Sequence, residues 1–357
     1  MNRIPIADMH CDLLAYLAGD RLRTPFDRAA RCSIPQLIGG NVKFQTMAIY
    51  TPTEPGSVIS GLSQVACFKE LCELYTRFFT PYSPTKSLKD TSKISVIAAV
   101  ENASSFFEEE SDLDSGFALL DRFEKEIGKI FYLSLTWNTN NRFGGGAHGN
   151  EGITPDGSEL LRFMADKKIA IDLSHASDRL AYDIIEELNK NSLEIPILAS
   201  HSNTRTVANV PRNLPDELIK EIISRKGIVG FNFVRQFVGP DVSAFNRQLE
   251  HFLDLGAENS LVLGADFFYG YDVPLQYRKL PEELYFPGYE DSFCYSKVLD
   301  LWREILGENE EILTKICWKN LDDFLQKNIP VSEASLRYCE ETYVGCNRDF
   351  FNCSSGS

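Results

Sequence analysis

The sequence predicts a closed (β/α)₈ TIM barrel with a C-terminal helical extension. Eight short apolar runs rich in β-branched residues punctuate the chain, and most precede a segment whose apolar residues recur at helical spacing. Apolar strands that alternate with helices indicate a parallel sheet covered on both faces, and eight such units favour closure. The eight runs are 3–12, 41–50, 94–102, 129–137, 168–175, 195–203, 227–234 and 260–267.

The spacing of these runs predicts one domain, 1–357, with a barrel over about 3–290. The remainder, about 291–357, is predicted to be an extension whose helices cover about 293–343. An open, doubly wound sheet is the structural alternative. It is disfavoured because the turn after the first run reads His-Cys-Asp-Leu-Leu, where such a fold usually has a glycine-rich phosphate loop.

Composition excludes several kinds of partner. The formal net charge of −15 argues against nucleic acid and anionic membranes, which need basic surface. No stretch reaches the roughly 18 apolar residues of a membrane span, and no basic-then-apolar leader opens the sequence. Nine scattered cysteines without Cys-x-x-Cys spacing predict reduced thiols in a cytoplasmic protein. Cys339, Cys346 and Cys353 recur every seven residues but lack nearby histidines, so no metal site is assigned to them.

Five side chains that commonly bind metals lie at or next to the ends of four of the runs. They are His10, Asp12, Glu101, His175 and His201. A polar group at the end of a buried strand is unfavourable unless it is paired, and the carboxyl ends of barrel strands meet at one face. The five positions therefore predict a shared metal site.

Strand alternation adds an orientation to this prediction. It places Asp8, His10 and Asp12 on one face of the first strand, with Met9 and Cys11 on the other. We therefore expect His10 and Asp12 to point together toward the barrel axis. Asp8 would lie one step deeper and support the site from beneath.

The residue types suggest how two ions would be shared. Glu101 has two oxygens and can bridge two cations, while His175 and His201 supply neutral nitrogens. Such a set suits zinc, although manganese, cobalt and iron stay open. Asp266, at the exit of the last run, is predicted to accept a proton from water and pass it to a leaving amine. Arg212, in the loop after 195–203, suits a substrate carboxylate.

These motifs resemble the membrane (renal) dipeptidase family, peptidase family M19, of the metal-dependent hydrolases. The segments that carry the resemblance are Asp-Met-His-Cys-Asp (8–12), Val-Glu-Asn (100–102), Leu-Thr-Trp-Asn (135–138), Ile-Asp-Leu-Ser-His (171–175), Ser-His-Ser (200–202), Arg-Asn (212–213) and Gly-Ala-Asp-Phe (264–267). The resemblance implies two zinc ions per subunit, one on His10 and Asp12, the other on His175 and His201, with Glu101 between them. It also implies that Asp266 transfers the proton.

The resemblance further implies the substrate contacts. Arg212 would hold the C-terminal carboxylate of a dipeptide, and Asn213, Trp137 and His148 would be further substrate contacts. The protein would form a homodimer. One position departs from the family: Trp137 stands where a histidine that supports the reacting oxygen is expected. Either His148, in the Gly-rich loop 142–150, or Asn138 replaces it as donor, or the substrate preference has changed.

Three functional hypotheses follow. The first is a cytoplasmic binuclear zinc dipeptidase acting through a metal-bridging hydroxide on dipeptides with a free C-terminal carboxylate. The second is a related barrel amidohydrolase for another small amide, lactam or N-acyl amino acid. Phosphotriesterase-like chemistry is disfavoured, because the run 129–137 ends in Thr-Trp and offers no lysine for a carbamylated bridge. The third is a metal-binding protein without turnover.

Overall fold

A computed structural model describes residues 4–307 and 309–329, and its centre is a barrel of eight parallel strands. The barrel strands are β1 (Ile6–Cys11), β2 (Val42–Tyr50), β4 (Ile94–Glu101), β5 (Ile130–Ser134), β6 (Ala170–Asp172), β7 (Ile197–Ala199), β8 (Ile228–Phe231) and β9 (Leu261–Leu263), with β3 (Phe79–Pro81) outside the ring. Each strand pairs in parallel with the next, and β9 closes the ring on β1 through Leu263 and Asp8. The predicted fold is confirmed, and each predicted run contains one barrel strand.

The sequence analysis missed β3. Its three residues pair in parallel with the first three residues of β4. They lie on the same edge of β4 that pairs with β5 further along the strand. A strand this short leaves no alternation in the sequence to detect.

Helices surround the barrel and fill the connections between its strands. They are α1 (Leu13–Gly19), α2 (Ile34–Gly39), α3 (Ser57–Leu74), α4 (Leu113–Ile127), α5 (Pro155–Lys167), α6 (Asp178–Lys190), α7 (Asp216–Ser224), α8 (Arg235–Val238), α9 (Ala244–Asp254), α10 (Pro281–Leu284), α11 (Tyr295–Leu306), α12 (Glu310–Thr314) and α13 (Asn320–Asn328). Side-chain N-caps start three of the longer ones: Asp112 caps α4, Thr154 caps α5 and Ser177 caps α6. Each cap satisfies a backbone N–H that the first turn leaves unpaired.

Apolar side chains pack in two layers, one inside the barrel and one between the barrel and the helices. Within β9, for example, Val262 points inward while Leu261 and Leu263 point outward. The inner layer continues into Leu321, Phe324 and Leu325 of α13. This helix therefore closes the amino ends of the strands and leaves their carboxyl ends as the open face.

The C-terminal extension is helical, as predicted, through α11, α12, one π-helical turn (Lys315–Lys319) and α13. The rest of the predicted extension, including Cys339, Cys346 and Cys353, lies outside the described residues. Among the helices that the structure describes, none combines the length and the hydropathy that a membrane crossing requires.

Candidate active site

The five predicted ligands converge at the carboxyl ends of the strands, although they come from positions up to 191 residues apart in the sequence. Glu101 lies at the centre. Its Oε2 is 3.2 Å from His10 Nε2, and its Oε1 is 2.8 Å from His175 Nε2 and 3.7 Å from His201 Nε2. Asp12 Oδ1 lies 3.8 Å from His10 Nε2. One carboxylate therefore faces imidazoles on both of its sides.

Hydrogen bonds at the far nitrogens orient two of the rings. His10 Nδ1 lies 2.8 Å from the Tyr132 hydroxyl, which itself donates to the Met9 carbonyl. Because that hydroxyl proton is already used, His10 Nδ1 carries the proton of this bond. His175 Nδ1 likewise donates to Asn138 Oδ1 at 2.9 Å. In both rings the lone pair is therefore on Nε2 and faces Glu101, as metal binding requires.

Unpaired buried atoms indicate that a cation fits between these groups. His10 Nε2 and Asp12 Oδ1 are buried and have no hydrogen-bond partner among the described residues. His175 Nε2 and His201 Nε2 lie only 2.9 Å apart, close enough for one cation to contact both. Two sets of three have all their ligand atoms within 4.8 Å of one another: His10, Glu101 and His201; and His10, Asp12 and Asp266. The donor set and its geometry fit divalent metal ions.

The pKa values of the site residues also indicate that cations fit here. Burial raises the pKa of Glu101 to about 8 and that of Asp266 to about 7, and it raises the pKa of Asp12 well above its usual range. Burial also lowers the pKa of His175 and His201 well below the ordinary value. The ionised form of these buried carboxylates is unfavourable unless cations lie beside them. Bound cations would therefore compensate the negative charge of the carboxylates.

The first strand departs from the predicted alternation. Its pairing with β2 is irregular between Asp8 and Cys11, and Met9 packs in the inner apolar layer while Cys11 packs in the outer one. The prediction that Met9 shares a face with Cys11 and Asp8 with His10 was therefore wrong. Asp8 instead accepts hydrogen bonds from Gln45 and from other groups around β1. The convergence of His10 and Asp12 survives because the irregularity rotates His10 inward.

Two other site residues are aimed by backbone conformation. His175 has φ of 68° and Asp266 has φ of 62°, in the left-handed region that residues with a Cβ seldom adopt. Both follow a strand end, and Asp266 Oδ1 comes within 3.9 Å of His10 Nε2 while Asn232 donates to its Oδ2 at 2.9 Å. Such conformations at a buried charged site are typical of functional positions.

A cavity of about 280 Å³ opens above these groups. Asp12, Glu101, His175 and Asp266 line its bottom. Its walls come from the loops after the strands and include Tyr50, Trp137, Asn138, His148, Arg212, Phe237, Asp272 and Tyr277. The cavity therefore joins the predicted ligands to several predicted substrate contacts.

Arg212 is buried beside the cavity, although arginine is usually exposed. Its Nη2 donates weakly to the His201 carbonyl at 3.4 Å, its Nε has no partner, and its guanidinium lies 5.3 Å from the Phe237 ring. An incompletely paired guanidinium at a cavity wall is suited to an anionic group of a substrate.

Asn213 does not line the cavity. Its side-chain amide donates to the backbone carbonyls of Ala208 at 2.8 Å, Phe237 at 2.9 Å and Thr204 at 3.4 Å. The substrate contact predicted for Asn213 is therefore not supported by this geometry. Its bonds hold the loop that carries Arg212.

Trp137 forms an aromatic wall. Its ring centroid lies 5.0 Å from that of Tyr50, 5.0 Å from that of Tyr277 and 5.8 Å from that of His175. A hydrogen bond from its side chain opposes the rise in the pKa of Glu101. The indole thus borders the carboxylate of Glu101.

His148 is exposed and lies against Tyr277, with ring centroids 5.7 Å apart.

Sequence reasoning missed the residues that hold the ligands, such as Tyr132, and the loop that carries Asp272 and Tyr277. Asn138 was considered as a donor to the substrate, and the structure uses its oxygen to orient His175. For Tyr132 a signal existed, since its hydroxyl lies in an otherwise apolar strand. For the loop none existed, because contacts between loops leave no periodic pattern.

Fold and site together define the class of protein, a metal-dependent hydrolase on a (β/α)₈ barrel. The chain belongs to the membrane dipeptidase family, peptidase family M19, whose model matches residues 1–322. This confirms the resemblance and places the chain among the peptide-bond hydrolases.

Similar proteins were found by sequence and by structure. Dipeptidase 3 of Mus musculus is 28% identical over 250 residues, covering 64% of this chain and 47% of that protein. An uncharacterized protein of Klebsiella pneumoniae is 26% identical over 243 residues, covering 64% of this chain and 79% of that protein. The matched segment therefore spans less than half of the mouse relative.

Solved structures share the fold. A metallopeptidase from Rhodobacter sphaeroides, liganded with a phosphinate mimic of the dipeptide L-Ala-D-Ala, superposes with a TM-score of 0.73 at 21% identity and covers 92% of this chain and 100% of that one. An amidohydrolase from Pseudomonas aeruginosa has a TM-score of 0.69 at 18% identity, covering 82% and 91%. At these identities the likeness supports the fold alone.

Proposed function

We propose that the protein is a binuclear zinc dipeptidase that hydrolyses dipeptides with a free C-terminal carboxylate. The observation that carries the proposal is the convergence of three imidazole Nε2 atoms on the single carboxylate of Glu101, with Asp12 Oδ1 beside one of them at 3.8 Å from His10 Nε2. By this proposal His10 and Asp12 would hold one ion and His175 and His201 the other, and Glu101 would be shared between them. Bound zinc ions supply Lewis acidity, which makes hydroxide available near neutral pH and polarises a carbonyl.

Asp266 is the proposed proton carrier. Its carboxylate lies at the bottom of the cavity, beside His10, and it is fixed by Asn232. A base in this position can take a proton from the attacking water and give it to the leaving amine. Two cations beside this carboxylate would favour its ionised form, which can accept the proton of the attacking water.

Arg212 is the proposed carboxylate anchor. Burial keeps water from competing for the guanidinium, and its unpaired Nε leaves a donor for an incoming anion. A charge-assisted bond of this kind distinguishes a free carboxylate from an amide or an ester. The cavity of about 280 Å³ suits a substrate no longer than a few residues.

A substrate panel tests the proposal. The zinc-loaded protein would be assayed on L,L- and L,D-dipeptides, on the same dipeptides with an amidated C-terminus, and on N-acyl amino acids. We expect hydrolysis of the free dipeptides, loss of activity on chelation and recovery with zinc. Hydrolysis of the N-acyl amino acids alone would favour the second hypothesis, and zinc binding without turnover of any substrate would favour the third.

We further propose a cytoplasmic location and, from the family resemblance, a homodimer. The six cysteines among the described residues are all free thiols, as expected of a reducing compartment. Fractionation of the native host cells and sedimentation of the purified protein test these two points. Recovery of the protein outside the cytoplasm, or as a monomer, would contradict them.

A further inference from the structure

A buried carboxylate lies beneath the site without lining the cavity. Asp172 ends β6 and is 1% exposed. Its Oδ1 accepts the backbone N–H groups of Ser174 at 2.9 Å and Ser200 at 2.8 Å, and its Oδ2 accepts the Ser200 hydroxyl at 2.6 Å. Three donors therefore meet one carboxylate that, among the described residues, neither lines the cavity nor belongs to the candidate metal-binding groups.

The Ser200 hydroxyl links this carboxylate to an imidazole. Ser200 Oγ lies 2.6 Å from His201 Nδ1. A carboxylate that receives three donors acts only as an acceptor, so the hydroxyl proton of Ser200 points to Asp172. Ser200 Oγ must then accept the proton of His201 Nδ1. The lone pair of His201 consequently stays on Nε2, the atom that faces Glu101 and His175.

We propose that Asp172 is a positioning residue that fixes, through Ser200, the His201 tautomer able to bind a divalent cation. The inference rests on the metal centre of the proposed function and is independent of the substrate. Without the carboxylate, the hydroxyl proton is free to turn toward Nδ1. The ring proton would then move to Nε2 and block the ligand atom.

The chain contains a matched control for this acid. Asp8 is also fully buried, and its carboxylate accepts the backbone N–H groups of His10 and Ala265, both at 2.9 Å. Like the carboxylate of Asp172, that of Asp8 therefore links its own strand to a residue just beyond the neighbouring strand, directly before a site residue. Its other partners are Gln45 at 3.0 Å and Tyr295 at 2.9 Å, and it has no bond to an imidazole nitrogen. Asp8→Asn thus perturbs a similar backbone junction without disturbing a ring proton.

The test uses the full chain in four variants: Asp172→Asn, Ser200→Ala, Ser200→Thr and Asp8→Asn. Zinc affinity is measured by competition with a chelator at pH 7, and the tautomer of each imidazole is measured by ¹⁵N NMR of the metal-free, histidine-labelled protein. The sequence has five histidines, so the spectrum is tractable. We expect Asp172→Asn and Ser200→Ala to weaken zinc binding about 10- to 100-fold. Asp172→Asn should also shift the proton of His201 to Nε2.

Ser200→Thr keeps the hydroxyl and should keep affinity and tautomer, which provides the rescue. Asp8→Asn should lower thermal stability but leave the His201 tautomer unchanged. Wild-type affinity and tautomer in Asp172→Asn would overturn the inference. A shift of the His201 ring proton in Asp8→Asn would also overturn it, because the tautomer would then respond to general loosening of the barrel rather than to the Asp172–Ser200 link. If Asp172→Asn does not fold, the contrast between Ser200→Ala and Ser200→Thr decides.

The dipeptidase proposal can be refuted independently of the role of Asp172. A wild-type protein that binds zinc with His201 protonated on Nδ1 but hydrolyses no dipeptide would refute the dipeptidase proposal and leave the role of Asp172 standing.

Discussion

The bottom of the cavity and its walls are built differently. The floor comprises His10, Asp12, Glu101, His175, His201 and Asp266, all buried and all at or just beyond the ends of barrel strands. The walls come from loops, and we define the rim as Arg212, Trp137, His148 and Tyr277. The floor residues His10, His175 and Asp266 are held by hydrogen bonds to Tyr132, Asn138 and Asn232, respectively. His148, in contrast, is exposed and contacts the rest of the rim through Tyr277. The floor is thus suited to chemistry and the rim to selection of the substrate.

The largest effect is expected at the centre of the floor. Glu101→Gln keeps the shape of the side chain but removes the charge that both proposed ions share. We expect it to lose bound zinc and to lower kcat/KM by at least about 10⁴-fold, since a Lewis-acid contribution of several kcal/mol disappears. Metal analysis and steady-state kinetics check this. Full zinc occupancy in the variant would contradict the bridging role.

Asp266→Asn separates chemistry from metal binding. The amide cannot accept the proton, so we expect kcat to fall roughly 10³-fold with KM nearly unchanged. Zinc content should stay at the wild-type level, in contrast to Glu101→Gln. A variant with near-normal kcat would show that another group carries the proton.

The rim is tested by Arg212→Ala. Loss of a buried charge-assisted bond worth about 2 kcal/mol or more should raise KM about 30-fold for dipeptides with a free carboxylate. Amidated dipeptides should be affected little. Arg278→Ala is the matched control, because Arg278 is an exposed arginine that lines the same cavity. Equal kinetics of the two variants on free dipeptides would refute the anchor.

The charge of the floor predicts how the metal-free protein responds to pH. Folding raises the pKa of Glu101 to about 8 and of Asp266 to about 7, above their values in an unfolded chain. The native state therefore binds more protons than the unfolded state up to about pH 8. At pH 6.5 and above, His175 and His201 oppose this difference only in part, because in the unfolded chain each is at most half protonated. The stability of the metal-free protein should therefore fall as the pH rises from 6.5 toward 8.

Thermal unfolding of the chelated protein at pH 6.5, 7.25 and 8 measures this trend. Zinc should raise the melting temperature most at pH 8, where the carboxylates are ionised. A metal-free protein that becomes more stable as the pH rises from 6.5 to 8 would contradict the raised pKa values of Glu101 and Asp266 on which this prediction depends.

The smallest effect is expected at the exposed part of the rim. His148→Ala should change kcat/KM by no more than about threefold, as is usual for surface substitutions away from buried networks. A much larger loss of kcat would identify His148 as the donor that replaces the histidine expected at Trp137. Tyr277→Leu, which removes the aromatic ring, would then test whether the ring contact with Tyr277 positions His148.

The floor could be predicted because strand register determines it. Once His175, His201 and Glu101 are assigned to strand ends, closure of a parallel barrel brings them together whatever their separation in sequence. The orientation within β1 could not be predicted, because an irregular pairing at Asp8–Cys11 changes which side chains share a face.

Other features depended on contacts that no pattern encodes. Asn213 and Arg212 are adjacent in sequence, yet their side chains point to different places. Asn213 bonds to backbone carbonyls of its own loop, whereas Arg212 lines the cavity. Tyr277 reaches Trp137 across two loops that are 140 residues apart in the chain. The chain of bonds from Asp172 through Ser200 to His201 joins two strands, and only the three-dimensional structure aligns it.

Anomalous X-ray scattering from a crystal of the zinc-loaded protein tests the central claim most directly. We predict two zinc peaks about 3.5–4 Å apart, one beside His10 and Asp12 and the other between His175 and His201, with Glu101 contacting both. A single peak, or none among these residues, would contradict the binuclear centre on which the proposed function depends.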